Sequence, residues 1–198
     1  MEKEMETQVK REIPQPAAIR KELKRERYKR RFRRLLRSTI NALIVVAAVA
    51  ALIATLVLPV LQIAGTSMEP CLTDGDIVLL LKSKDMETGD LCAFYYSNKI
   101  LIKRVIGTPG DYIWIEADGT VYLNGEPLDE PYVSQKALGE CDVEFPYQVP
   151  ENHYFVMGDQ RESSIDSRSS VIGCIAEDQI VGRIFCKIWP LSKFEFIK

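Results

Sequence analysis

Two textures of hydrophobic and polar positions divide the chain, and they meet at residue 59. From Ala42 to Leu58 every position but Thr55 is apolar, and Ile40 and Asn41 lead into the run. A segment with no polar face predicts a helix surrounded by apolar material. At 1.5 Å per residue it covers about 25–30 Å, the thickness of bilayer hydrocarbon. Pro59 removes a backbone donor and disfavours helical geometry at Leu58, so the helix is expected to stop there. Upstream, charges interleave at helical spacing from Ala17 onward, Glu22 with Arg25 and Glu26 with Arg30, which predicts one helix running into the apolar stretch. Residues 1–16 are polar, carry Pro14 and Pro16, and are expected to be disordered.

Beyond Leu61 the pattern changes to short apolar runs between turn residues. Strands are expected over 76–81, 90–96, 100–106, 112–116, 120–123, 153–157, 180–188 and 194–197. Asp118-Gly119 and Asn124-Gly125 favour the primed turns of hairpins. Prolines break up 126–150 into a surface excursion, and 159–170 reads as a polar loop. There is no internal repeat and no second run of spanning length. The expected fold class is mainly β, a sandwich or barrel-like body with a single N-terminal transmembrane helix. Residues 1–37 form a basic tail, 38–61 the anchor and 62–198 the β body.

Charge sharpens this division. Residues 1–37 carry 14 Lys/Arg against 6 Asp/Glu and the remainder 12 against 22, which together make the −2 of the whole chain. A basic tail could be a nucleic-acid arm, but its junction with an apolar span assigns it to a membrane. Arg30, Arg31, Arg33, Arg34 and Arg37 should stay cytoplasmic and meet anionic lipid headgroups, leaving the body outside the cell membrane. A cleaved signal peptide would have a shorter apolar core and small residues two apart at its exit. The pairs here are Val60/Gln62 and Gln62/Ala64, so the anchor is expected to remain. Cys71, Cys92, Cys141, Cys174 and Cys186 are odd in number and lack metal-ligand spacing. One or two disulfides are allowed in an oxidising compartment, with buried free thiols the alternative.

Candidate chemistry begins at Gly65-Thr66-Ser67-Met68-Glu69-Pro70, a serine on a Gly/Pro-bounded bend just past the span. Ser67 lies nine residues past Leu58, so the serine is within about 30 Å of the bilayer. A serine hydroxyl needs a neighbouring base. His153, the only histidine, stands beside Pro150-Glu151-Asn152 at a turn, where a solvated ring is the commoner finding. Lys103 shares one strand face with Leu101 and Val105. Burial there would disfavour its ammonium; lowering its pKa from about 10.4 to the 7–8 of a working base takes ~4 kcal/mol. The alternative is a strand lysine whose stem packs while its head stays in solvent.

Three segments carry a family resemblance. Ser67-Met68-Glu69-Pro70-Cys71-Leu72, then Lys103-Arg104-Val105-Ile106-Gly107-Thr108-Pro109-Gly110-Asp111, then Gly158-Asp159-Gln160-Arg161-Glu162-Ser163-Ser164-Ile165-Asp166-Ser167-Arg168 resemble, in order and spacing, the motif boxes of bacterial type I signal peptidases. The similarity covers roughly 38–198. It implies a membrane-anchored serine endopeptidase that removes signal peptides from exported preproteins after small residues at the third and first positions before the cut. By resemblance Ser67 is the nucleophile, Lys103 the general base, and Ser164 the hydroxyl that orients the lysine. Asp166 and Arg168 form a supporting ion pair, and the Ser67 amide stabilises the oxyanion. The Lys103 amine is expected within hydrogen-bond distance of the Ser67 hydroxyl. Gly65 stands where some members carry a second oxyanion serine, as in the Gram-positive-like branch, and Gln160, Glu162 and Ser163 replace the usual Asn, Asp and Asn. Ile63, Met68, Leu72, Leu101 and Ile102 are expected to line the substrate pockets. The resemblance implies no cofactor or metal. It implies a monomer that meets preproteins at the translocon exit, with membrane lipids and no nucleic acid as its other partners. Rival readings are a specialised Ser-Lys processing peptidase for pilin or conjugation factors, a self-cleaving repressor-type regulator, and a catalytically silent membrane-anchored binding module.

Overall fold

The computed structural model describes residues 16–197; the disorder expected for 1–16 falls almost wholly outside them. One helix, α1, runs from Pro16 to Val57. Proline suits its first turn because the amide it lacks would have no partner there. The charged half of the helix is laced by Glu22–Arg25 at 4.0 Å and Glu26–Lys29 at 3.0 Å. Glu26 therefore pairs with Lys29 rather than Arg30. Past Ser38 the helix leaves Ile40, Leu43, Ile44, Val45, Val46 and Val49 exposed. It is long and apolar enough to cross a membrane.

The strands of the second unit all pair antiparallel, with 3-10 turns at Glu177–Gln179 and Leu191–Lys193. Strands β1 (Val60–Gln62), β2 (Ile77–Leu81), β3 (Leu91–Tyr96), β4 (Lys99–Gly107), β9 (His153–Met157), β10 (Ile175–Ala176), β11 (Ile180–Trp189) and β12 (Glu195–Phe196) form one sheet. Its order is β1-β2-β11-β3-β4-β9-β10, with β12 added to β11. A smaller sheet takes β5 (Tyr112–Ile115), β6 (Val121–Leu123), β7 (Glu126–Pro127) and β8 (Tyr147–Gln148) in the order β7-β6-β5-β8. The fold is thus mainly β with one N-terminal apolar helix. Val60 and Leu61, which apolarity alone assigned to the anchor, belong to the sheet. After Pro59 ends the helix they pair with Leu79 and Val78.

β3 is buried on both faces, which explains its unbroken apolar run. Leu91 and Ala93 pack with Ile63, Met68, Leu72, Val78, Leu80 and Ile184. Cys92 and Phe94 pack on the opposite side with Val105, Val156 and Ile180. A third cluster joins the two sheets through Ile113, Ile115 and Val121 against Ile106, Phe155 and Met157. These clusters hold β4 from both sides, and β4 carries Lys103.

Candidate active site

The serine loop is tied at both ends. As the chain leaves β1, the Ile63 amide donates to the Asp76 carbonyl at 2.8 Å and the Gly75 amide returns to the Ile63 carbonyl at 3.0 Å. Gly65 adopts φ +97°, a conformation that side chains oppose, and its amide donates to Asp74 Oδ1 at 2.8 Å. A turn from Thr66 follows, then a Leu72-to-Met68 backbone bond, above the buried side chains of Met68 and Leu72. The Ser67 carbonyl accepts from the Gln160 amide at 3.1 Å, which stitches the first box to the third. Among the described residues the Ser67 amide donates to no protein acceptor.

Lys103 is only 4% exposed. Leu101 and Val105, two residues to either side, pack against the second cluster, so the lysine stem leaves an apolar face. Its amine donates to Ser164 Oγ at 2.9 Å. Burial pushes the Lys103 pKa down to about 8; Asp166 and Asp159 pull it up, while Arg168 opposes them. The amine's side-chain hydrogen bond is to a neutral hydroxyl. The nearby carboxylates are committed elsewhere.

Those commitments are buried arginine forks. Arg168 holds Asp166 through two bonds of 2.8 Å, and Asp166 also accepts the Gly158 amide at 2.9 Å. Arg104 holds Asp159 at 2.8 and 2.6 Å. Gly158 lies where the first and third boxes meet: a Cβ on it would collide with the Ser164 hydroxyl and approach the Ser67 carbonyl to 2.7 Å. Only glycine lets the third box sit this close to the serine loop.

Ser67 and Lys103 line one cavity of about 120 Å³, together with Leu61, Ile63, Met68, Leu101 and Ile102 among others. Four of the five apolar residues expected at the pockets are thus on its wall. Leu72 is not; it is fully buried in the cluster beneath. No hydrogen bond joins Ser67 Oγ to Lys103 Nζ, because the amine is turned to Ser164. Catalytic hydrogen bonds of this kind are commonly long without substrate and tighten in its complex. His153 sits at the start of β9 with Nδ1 2.8 Å from the Glu151 carbonyl, away from this cavity. All five cysteines are free thiols, and burial pushes that of Cys92 up to about 12.

Several residues of the site went unforeseen. Lys187 on β11, 5% exposed, donates to the Cys71 carbonyl at 2.9 Å and pairs with Asp76 at 3.3 Å. It fastens the far end of the serine loop. Glu130 and Tyr132, from the excursion after β7, reach Arg161 and Arg104. Asp-Gly spacing and strand alternation signal none of these, since their partners are distant in the chain.

The chain resembles known proteins over most of its length. The family described as "Signal peptidase, peptidase S26" matches residues 36–189. Signal peptidase IB of Staphylococcus aureus (strain MRSA252) is 37% identical over 154 residues, 68% of this chain and 79% of that protein. Signal peptidase I of Bacillus licheniformis is 35% identical over 144 residues, 66% of this chain and 76% of that protein. A crystal structure of a signal peptidase I from Enterococcus faecalis V583 is 28% identical, covers 50% of this chain and 96% of its own, and superposes with a TM-score of 0.42.

Proposed function

The chain belongs to the signal peptidase family, peptidase S26, and on that premise we propose how its residues remove a signal peptide. It is a membrane-associated serine endopeptidase, a signal peptidase I. The observation that carries the mechanism is a buried lysine, hydrogen-bonded to a hydroxyl and to no carboxylate, on the wall of the cavity that holds Ser67.

Ser67 Oγ attacks the scissile carbonyl while its proton passes to the neutral Lys103 amine. The oxyanion takes a hydrogen bond from the free Ser67 amide, a contribution of several kcal/mol at sites of this kind, ~3 kcal/mol for one donor. The Gly65 amide is committed to Asp74 and does not serve. Lys103, now an ammonium, returns the proton to the leaving amine as the C–N bond breaks and the serine ester remains. Lys103 then takes a proton from the water that attacks the ester and gives it to Ser67 Oγ as the tetrahedral intermediate collapses, which frees the signal peptide with its new carboxylate and restores the Ser67 hydroxyl and the neutral amine. Ser164 keeps the amine aimed throughout; Asp166 and Arg168 support Ser164 from below.

Two unpaired backbone edges border the cavity. β1 ends its sheet, and β4 pairs with β9 only from Arg104 onward, so Ile100, Leu101 and Ile102 have one free edge. An extended preprotein segment adds there as a short strand, its alternate side chains entering the cavity. A cavity of about 120 Å³ shared with Ser67 and Lys103 suits small residues at the third and first positions before the cut. The single span, with the arginine block inside and the body outside, follows from charge asymmetry. Val60, Phe185, Trp189 and Phe196 on the larger sheet, with Leu191 and Phe194 in the turn between β11 and β12, are exposed and suit the interfacial zone of a bilayer. Preproteins leaving the translocon and membrane lipids are the partners, and the enzyme acts as a monomer.

Cleavage of a model preprotein in detergent by the wild type, Ser67→Ala and Lys103→Ala tests the reading. Both substitutions should abolish cutting, and preproteins with Leu or Lys beside the cut should resist the wild type. Full activity in Lys103→Ala would remove the lysine from the mechanism. Protease added outside intact cells should digest the body and spare the tail; the opposite pattern would invert the topology.

A further inference from the structure

The three arginines beneath the site share a feature that the motif boxes do not contain. Each is braced by one stretch of the excursion between β7 and β8, residues 130–139. Tyr132 lays its ring over the Arg104 guanidinium, 3.8 Å from its centroid. Glu130 receives both arms of Arg161, at 3.1 Å for one and in a shorter contact for the other. The Ala137 and Leu138 carbonyls accept from Arg168 Nη1 at 3.3 and 2.6 Å. Gly139, at φ +63°, presses its backbone so close to the Arg161 carbonyl and to Arg168 Nη1 that no Cβ would fit. Glu130 also accepts the Tyr132 hydroxyl at 3.2 Å, tying the two contacts to each other.

The path from this stretch to the reacting groups is short. Arg161, fully buried, donates through Nε to the Gly158 carbonyl at 3.0 Å. The Gly158 amide is held by Asp166. Gly158 in turn touches Ser164, the partner of the Lys103 amine, and the Ser67 carbonyl. The peptide groups on either side of Gly158 are thus fixed, one by Asp166 and one by Arg161, and among the described residues the Arg161 guanidinium hydrogen-bonds only Glu130 and Gly158. If Arg161 turned away, Gly158 would lose half of its restraint and Ser164 would lose the wall it rests on.

From this geometry we infer that residues 130–139 form a brace for the catalytic lysine, in which Glu130 is a positioning residue acting through Arg161 and Gly158 on Ser164. The inference rests on the Ser67–Lys103 mechanism above. Glu130 touches neither substrate nor the reacting atoms; it determines how long the amine spends aimed at the serine. A brace of this kind affects the chemical step and leaves substrate binding to β1 and β4 alone, so its signature is a fall in kcat at constant KM.

The test uses the full chain in detergent micelles with a model preprotein. Glu130→Gln keeps shape and loses charge. Arg161→Lys keeps charge but lacks the fork needed to reach Glu130 and Gly158 together. Each should lower kcat about tenfold or more with KM within about twofold, after correction for the folded fraction measured by circular dichroism. Tyr132→Leu, which leaves both ion pairs in place, should lower kcat only a few-fold. Unchanged kcat in folded Glu130→Gln and Arg161→Lys would overturn the brace, as would a rise in KM that accounts for the whole loss. Failure of both to fold would assign the pair to the fold and overturn it equally. Ser67→Ala and Lys103→Ala, measured alongside, keep the two readings apart: activity in either would sink the mechanism itself, whatever Glu130 does.

Discussion

Two lysines in this body are equally hidden from water and have opposite fates. Lys103 is 4% exposed and Lys187 5%. Lys187 lies 3.3 Å from the Asp76 carboxylate and donates to the Cys71 carbonyl. Burial works against the Asp76 carboxylate, but the Thr73 amide and Lys187 together outweigh it and hold its pKa below the ordinary value. That pair is an ion pair, and it secures the end of the serine loop. Lys103 donates to a serine hydroxyl, and the carboxylates that would have kept it charged, Asp166 and Asp159, are occupied by Arg168 and Arg104. Burial alone therefore does not make a base. A buried amine becomes one when the protein withholds a counter-ion from it.

The widest separation between the two lysines should appear in catalysis. Lys103→Met is expected to lower kcat/KM by about 10³-fold or more, the scale of losing a general base. Lys187→Met should leave a measurable rate in whatever fraction folds. In stability the order reverses. Lys187→Met strands Asp76 in the interior and should cost about 3–5 kcal/mol in denaturant unfolding, much of it recovered by adding Asp76→Asn. Lys103→Met should cost nothing comparable, since it removes a disfavoured ammonium.

Acid–base linkage sharpens the contrast further. The unfolded chain holds the Lys103 proton up to its ordinary value of 10.5, whereas the folded protein releases it near 8. Between those limits the unfolded state binds more protons, so this group makes the fold more stable as pH rises, by about 3 kcal/mol across the window. Unfolding curves at pH 8 and pH 10.5 should show that gain in wild type relative to Lys103→Met. The smallest effect belongs to His153→Ala: preprotein cleavage should stay within about twofold of wild type, because the ring's hydrogen bond is to the Glu151 carbonyl and it does not line the cavity.

What could be read in advance follows how far each partner lies along the chain. Leu101, Lys103 and Val105 share a strand face by simple alternation, and the ordered boxes located Ser164, Asp166 and Arg168. Pro59 marked the end of the helix, yet Val60 and Leu61 looked like anchor because an edge strand of three residues has no period to detect. Leu72 was expected on the cavity wall; the turn through Met68 directs it into the core instead. The two-residue ladders of β7, β8 and β10 exist only through their neighbours. Glu130 and Arg161 are 31 positions apart, and Cys71 and Lys187 are 116 apart. No local rule joins such residues. Lys187 in particular looked like any strand lysine, and only its antiparallel pairing beside Val78 carries it inward.

The most direct test is the titration of Lys103 itself, followed by NMR of lysine carbons labelled with ¹³C in the full-length protein in micelles, with Lys103→Met to assign the signal. One lysine should titrate near pH 8, and its signal should be absent from Lys103→Met. If every lysine, Lys103 included, stayed protonated to pH 10, the amine would be an ordinary ammonium and the proposed base would not exist.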